Sequence, residues 1–491
     1  MPKHVIVIGS GLAGMSAAAY LSKQNHQVTV VEKNSTYGGR LQQFSSNGFT
    51  FDMGPSWYWM PDLFDSFFAD FNYKTEEFYT LKRLDPGYRI YYSDHTHLDV
   101  SENMDALKND LENIENGSST SLENYIKDAQ EKYNIATLKF MHKASLSPLE
   151  YLHADLITRL GQLNLFKPIS KHIREYFKNK KIIHMLEFPS LLLGGKPRDT
   201  PALYSLMNYA DIVLGTWYPK GGVRSVAKGL YNLACDLGVK FNFNSSVEEI
   251  LVENGRSSGV KINGEQFLAD IVVANADYHH VDQKLLRNGY SNYSHDYWEK
   301  RIMSPSSLIF YIGLNQSIND LPHHSLFFDS SFDEHTENIY DEPKWPIKPL
   351  FYVSCTSKSD PSTAPKNGDA LFVLIPVATG LEDNDAIREK YFDQVIDRIE
   401  KMVKQSFKKN IVFKKSYAHR EFVADYNAYK GNAYGLANTL FQTAFLRPKI
   451  KNRHLKNLYY TGQLTVPGPG MPPALVSGKI VANQIKEDLN E

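Results

Sequence analysis

A chain of 491 residues with a formal net charge of -1 has room for roughly two or three domains around a substantial core, and it carries no global field that would draw it to nucleic acid. Its 2 cysteines, Cys235 and Cys355, are far apart and lack CxxC spacing, which argues against a disulfide framework, a thiolate zinc site or an iron–sulfur cluster. No run of about 18 or more apolar residues occurs, so no spanning helix is expected, and without a basic, apolar, small-residue cleavage pattern at its start the chain is expected in the cytoplasm.

The first elements lie between Lys3 and Arg40. Val5 to Ile8 is a short β-branched run suited to a parallel strand buried on both faces. It ends at Gly9-Ser10-Gly11-Leu12-Ala13-Gly14, and a small-residue helix follows through Met15, Ala18, Ala19 and Leu21. Gly9 permits the tight turn, Gly11 lets a pyrophosphate approach, and Gly14 lets helix and strand lie close. The helix's first-turn amides and dipole then face an anion. A second strand, Val28 to Val31, ends at Glu32, near the spacing at which a carboxylate accepts from a ribose diol and disfavours a 2′-phosphate. A glycine-rich turn alone opens many helices. Strand, turn, helix, strand and acid in this order predict dinucleotide binding, against a βαβ unit with no ligand.

Gly38-Gly39-Arg40 follows within one loop. With it, the N-terminal segment resembles the flavoprotein superfamily that includes amine oxidases, protoporphyrinogen oxidase and the bacterial-type phytoene desaturases. The resemblance implies FAD rather than NAD, held by Gly9, Gly11, Leu12, Ala13, Gly14, Glu32, Lys33, Gly38, Gly39 and Arg40.

Gly48 to Pro55 alternates like a half-buried strand and stops at Gly54-Pro55; Ser56-Trp57-Tyr58-Trp59-Met60-Pro61 then sets three aromatics in a row. Such a cluster serves either as core or as the wall of a flavin or long apolar ligand. The stretch from Phe51 to Pro61 is similar to carotenoid desaturases, which implies cofactor contacts at Gly54 and Pro55 and substrate contacts at Trp57 and Trp59. Leu84 to Tyr92 is another strand, whose cation Arg89 serves either the flavin or a surface pair. From about Asp99 to Pro201 the pattern is helical. Between Leu156 and Ile183 it carries Arg159, Lys167, Lys171, Arg174, Lys178, Lys180 and Lys181, with Phe166, Ile169, Ile173 and Phe177 at helical spacing. That segment fits an ordinary solvated helix or one lying on an anionic membrane.

Thr216 to Gly229 reads as a loop with Gly221-Gly222 leading into a helix. Val239 to Phe243 and Val247 to Val252 read as paired strands. The resemblance places the backbone of Val247 at the adenine end of FAD and makes Asp270 to Asp277 a strand returning past the cofactor. From Ser304 to Arg447 strands and helices alternate, including Ser307 to Gly313 and Ala370 to Val377. The adjacent pairs His279-His280 and His323-His324 lack the spacing that puts two imidazoles on one helical face, so no metal site is expected.

Asn457 to Gln463 reads as a strand and turn, and Val466-Pro467-Gly468-Pro469-Gly470-Met471-Pro472-Pro473 leads into a helix from Ala474 to Ile485, whose unpaired amides and positive end could face a flavin's pyrimidine edge. The segment resembles the C-terminal flavin motif of bacterial-type carotenoid desaturases, implying contacts at Gly462, Gln463, Gly470 and Met471. Gln463 stands where many such flavoproteins have Asp.

No G-x-S-x-G elbow, P-loop or H-E-x-x-H occurs, so the cofactor is expected to carry the chemistry, and no acid or base residue is identified. The fold class expected is α/β. A Rossmann-type FAD-binding domain, discontinuous over residues 1-98, 202-300 and 445-491, joins a helical substrate- or membrane-facing region at 99-201 and a mixed substrate-binding domain at 301-444. The resemblance implies an FAD-dependent carotenoid desaturase moving hydride from an allylic C–H of an apolar polyene to the flavin. Oxygen or a membrane quinone would be the acceptor, and the protein would be peripheral to the inner face of the membrane. A later-step 3,4-desaturase acting on a hydroxylated or monocyclic carotenoid, an amine oxidase and a non-redox lipid-binding escort on the same fold are the alternatives.

Overall fold

The computed structural model describes residues 1–151, 163–192, 194–287 and 289–490. Five parallel strands form one sheet, in the order Leu458–Tyr460, Ile271–Ala274, His4–Ile8, Gln27–Val31 and Lys240–Asn242. The first strand is central, with neighbours on both sides. Its alternation divides the core: Val5 and Val7 join Met15, Leu230 and Leu475 under the helices Leu12–Lys23, Arg224–Asp236 and Met471–Asp488. Ile6 and Ile8 face the opposite way, onto Ile250 and Val260 of a three-stranded antiparallel sheet, Val247–Glu253, Arg256–Ile262 and Glu265–Leu268.

The two ends of the chain close on each other through these helices. Small residues allow the approach: a Cβ at Gly478 would lie 2.5 Å from the Ala17 amide nitrogen and 2.6 Å from the Ala13 carbonyl oxygen. The Ser16 hydroxyl donates to the Leu475 carbonyl at 2.7 Å.

The second body is a seven-stranded sheet, ordered Ile411–Tyr417, Ser306–Leu314, Asp369–Val377, Phe351–Cys355, His324–Phe328, Tyr88–Tyr92 and His97–Val100. Only His324–Phe328 and Tyr88–Tyr92 run parallel within it. The helix Asp385–Val403 covers one face through Val395, Ile396 and Ile399, while Ile309, Leu326, Phe328 and Tyr352 point into the other core. Rossmann-type parallel sheet, mixed second sheet and helical region make up the architecture expected from the sequence. The strands spanning residues 88–100 hydrogen-bond into the second sheet, although most of that stretch falls in the 1-98 segment assigned above to the nucleotide domain.

One strand pairing is corrected. Val239 to Phe243 and Val247 to Val252 do not pair with each other. Lys240–Asn242 extends the parallel sheet beside Gln27–Val31, and Val247–Glu253 pairs with Arg256–Ile262. Asn244, at φ 53°, turns the chain between the two sheets.

The basic stretch packs its apolar side on the protein. Leu156 and Arg159 lie outside the described residues. Ile169, Ile173 and Phe177 are buried in the core, and three of the cations reach carboxylates: Lys167 to Glu175 at 3.0 Å, Lys181 to Asp94 at 2.6 Å, and Arg174 to Glu187. This is a packed helical layer with a charged outer face. Phe166 departs from it, with 88% of its surface exposed.

Candidate functional site

A cavity of about 1010 Å³ runs between the parallel sheet, the second sheet and the helical region. It sits at the upper end of the roughly 300–1,000 Å³ common for ligand pockets. Gly9, Gly11, Leu12, Ala13, Glu32, Lys33, Gly38, Gly39, Arg40, Gly54, Pro55, Trp57, Trp59, Val247, Gly462, Gln463, Gly470 and Met471 all line it. Gly14 stands behind the lining. A Cβ there would lie 2.3 Å from the Gly9 carbonyl oxygen and 2.5 Å from Asn275 Nδ2, so its missing side chain sets the approach of helix to turn. Gly9 itself sits at φ +96°, in the region glycine adopts at little cost.

Asn275 is among the residues that the motifs did not reveal. It follows the strand Ile271–Ala274, and its side-chain amide donates to the Gly9 carbonyl at 3.1 Å. A Cβ at Gly11 would approach its Nδ2 at 3.0 Å, and one at Gly462 its Oδ1 at 3.2 Å. One carboxamide thus spaces the N-terminal turn from the C-terminal motif.

Glu32 is buried and held in place before any ligand arrives. Its Oε2 accepts from the Ser10 amide and hydroxyl, both at 2.8 Å, and Oε1 accepts from the Asn34 amide at 2.9 Å. A lone pair remains on Oε1 for a diol. The Lys33 ammonium donates to the Ala424 carbonyl at 2.6 Å, and burial lowers its pKa.

Arg40 lies over the Tyr426 ring at 4.9 Å, and one of its terminal nitrogens reaches the Asn432 carbonyl at 3.5 Å. Its Nε is buried without a partner. Burial lowers the pKa of this guanidinium, with Tyr426, Asp277 and Tyr417 opposing. Gly54 brings the aromatic segment against this residue, since a Cβ there would lie 2.4 Å from the Arg40 carbonyl oxygen.

These features fit a dinucleotide. An unpartnered Arg40 nitrogen, a helix start at Gly11 with no side-chain cap, and a glycine cradle with no room for Cβ atoms suit phosphate; Glu32 suits a ribose diol.

The C-terminal helix begins at Met471, three residues before the predicted start. Pro472 and Pro473 occupy its first turn and bring no N–H, so the expected row of free amides shrinks to Met471 and the dipole. Gln463 Nε2 donates to Asn432 Oδ1 at 3.1 Å. Thr461, Gly462 and Ser477 lock the turn, with Thr461 Oγ1 and Ser477 Oγ 2.9 Å apart and the Gly462 amide donating to Ser477 at 3.0 Å.

Beyond the glycines the cavity wall is apolar. Trp57 stacks on His324 at 4.3 Å and packs beside Tyr352 and Phe188, while Leu326, Phe328, Met207 and Leu374 complete the wall. The Trp59 indole donates to Thr216 Oγ1 at 2.8 Å, Thr216 donates to Asp211 at 3.3 Å, and Tyr88 donates to the same carboxyl at 2.7 Å. Burial pushes Asp211 up to about 7. Arg89 is not among the lining residues; it bonds to Asp99 and Asp320. At the mouth, Phe166, Phe441 and Leu446 both line the cavity and stand 88%, 76% and 41% exposed.

Residues 12–486 match the family model described as flavin containing amine oxidoreductase. The chain is 38% identical over 488 residues to a carotenoid 3,4-desaturase of Haloarcula japonica, covering 99% of each chain. It is 33% identical over 496 residues to a 4,4'-diapophytoene desaturase (4,4'-diaponeurosporene-forming) of Staphylococcus haemolyticus, again covering 99% of each. A solved oxidoreductase from Methanosarcina mazei superposes with a TM-score of 0.65 at 16% identity, covering 98% of this chain and 100% of that one. The chain belongs to the flavin containing amine oxidoreductase family, among relatives that are carotenoid desaturases.

Proposed function

We propose that this protein is an FAD-dependent carotenoid desaturase in which the residues named above hold the cofactor and the apolar wing holds the polyene. The observation that carries the reading is continuity: the glycine turn, Glu32 and Arg40 share one cavity with Trp57, Trp59 and the apolar mouth. When bound, FAD supplies the acceptor for the electron pair of an allylic C–H bond. Gly9, Gly11, Arg40 and the helix start at Gly11 would bind its phosphates, and Glu32 would bind its ribose. Trp57, Phe188, Leu326 and Phe328 exclude water and align the chain of the substrate.

Conjugation spreads the positive charge that develops on the polyene, so the wall need not supply a strong base. The exposed apolar rim of Phe166, Phe441 and Leu446 supports peripheral membrane association, since a water-insoluble substrate must be collected from lipid. Oxygen or a membrane quinone would take the electrons onward.

The test is expression in cells that make only phytoene, followed by absorption spectroscopy of extracted pigment. A change from colourless to yellow or red is the expected outcome. Pigment that stays colourless in the presence of FAD-loaded protein overturns the phytoene reading. The 38% identity to a carotenoid 3,4-desaturase favours a second reading, a later desaturation. Conversion of a hydroxylated carotenoid with no action on phytoene would select it. A non-redox escort has no use for a cradle that fits a dinucleotide, and purified protein that takes up no FAD would revive it.

A further inference from the structure

Arg447 carries a positive charge at 2% exposure. One terminal nitrogen donates to the Gln463 carbonyl at 3.3 Å, the other donates to Asn438 Oδ1, and Nε has no partner. Among the described residues no carboxylate pairs with it. Burial lowers its pKa to about 10, and the groups that oppose the shift are Tyr204 and Tyr297, neither of them an anion. A neutral side chain could reach the same two oxygens at a far smaller desolvation cost, so holding the loop does not by itself account for a guanidinium here.

Its position says what the charge faces. The guanidinium packs on Gly468, where a Cβ would lie 3.1 Å from Nη2 and 3.2 Å from Cζ. Pro467 and Pro469 on either side line the cavity, as does Gln463, whose carbonyl it holds. Two residues on, Gly470 starts the C-terminal helix with its positive end toward the same wall. Two fixed positive features therefore converge behind one short stretch of cavity wall. The lining carboxylates have partners of their own: Glu32 accepts from Ser10 and Asn34, Asp277 from the His280 and Tyr429 amides, and Asp425 from the Tyr417 hydroxyl.

We propose that Arg447 is a positioning residue for the redox chemistry: set behind the Gly468–Gly470 wall, its charge compensates the negative charge FAD acquires during desaturation. The balance is simple. The substrate gives up two electrons and two protons as its C–C bond becomes C=C; neutral oxidised FAD takes both electrons and one proton, gaining one negative charge, and the other proton leaves to water. A cation near that charge favours the reduced cofactor. The inference rests on the FAD reading of the cavity.

The experiment uses FAD-loaded wild type, Arg447→Lys and Arg447→Gln, each checked for bound flavin by absorbance and equilibrated with a redox dye. Arg447→Gln should shift the bound flavin toward the oxidised form by at least about tenfold, which for a two-electron couple is about 30 mV. Arg447→Lys should stay within about threefold of wild type. Sulfite, which adds to oxidised flavin as an anion, should bind Arg447→Gln about tenfold more weakly. Arg447→Gln that holds FAD with unchanged potential and sulfite affinity overturns the proposal. Wild type provides a reading that needs no variant. Its reduced flavin should keep the anionic absorbance spectrum from about pH 8 down to about pH 6, and protonation within that window overturns the proposal equally. Wild type that takes up no FAD overturns the cofactor reading as well, whereas bound FAD indifferent to residue 447 overturns this inference alone.

Discussion

The side-chain amide of Asn275 donates to the Gly9 carbonyl at 3.1 Å, joining two residues 266 positions apart at the point where the glycine turn meets the strand Ile271–Ala274. The same carboxamide faces Gly462 through its oxygen. Asn275→Asp would replace the donor by an anion beside a carbonyl and beside the proposed phosphate site. A lost buried hydrogen bond costs about 1–3 kcal/mol, so FAD affinity should fall about tenfold or more. Flavin titration monitored by fluorescence checks this, and unchanged affinity would remove Asn275 from the site.

Glu32→Ala should also weaken FAD binding about tenfold or more while the fold survives, because the loss includes the ribose contacts and leaves the Ser10 amide without its acceptor. Circular dichroism reports the fold and titration reports the cofactor. Glu32→Gln, which keeps one acceptor, should fall between wild type and Glu32→Ala.

The Asp211 carboxyl is raised from 3.8 to about 7 by burial, with the bonds from Tyr88 and Thr216 opposing. The folded protein therefore holds this proton more tightly than the unfolded chain does. The stabilisation is complete below about pH 4 and is lost as pH rises through about 7. Asp211→Asn removes that dependence, and the shift corresponds to roughly 4 kcal/mol at most. Thermal melts at about pH 5 and about pH 8 should show the variant gaining on wild type at the higher pH; a gap of equal size at both would refute the assignment.

Phe166→Asp combined with Phe441→Asp removes two exposed aromatics from the mouth. Each buried Phe is worth about 1.5–3 kcal/mol of transfer free energy, so partitioning onto anionic vesicles should drop by about tenfold or more. Reversing Lys167, which is paired with Glu175, should change it far less. Sedimentation with vesicles separates the two cases, and equal losses would relocate the membrane face to the basic stretch.

The features legible in the sequence are those whose parts are neighbours along the chain. The turn from Gly9 to Gly14, the acid at Glu32 and the loop at Gly38-Gly39 each declare a local backbone need or a fixed spacing, and these residues meet where they were expected to meet, with Gly14 packed behind the wall. Ser10, Asn275, Tyr426 and Asn432 have no such signal. Each acts on a residue that the tertiary fold brings to it.

Periodicity leaves open what a face meets. Ile169, Ile173 and Phe177 show the same pattern whether they pack on protein or on lipid, and burial in the core decides for protein. Val239 to Phe243 and Val247 to Val252 look like a hairpin by proximity, yet Gln27–Val31 offers the first of them an open parallel edge.

The nucleotide turn, the alternation of buried strands and the kinship of both termini with one flavoprotein family can be read from residue order alone, because glycine spacing and apolar period are written along the chain. The packing of the folded chain settles that both termini and the aromatic segment share a single chamber, that Phe166, Phe441 and Leu446 stand exposed at its mouth, and that the Arg447 charge is buried behind it. Those depend on how sheets and helices pack, which brings together residues from 9 to hundreds of positions apart and which no short stretch of chain records.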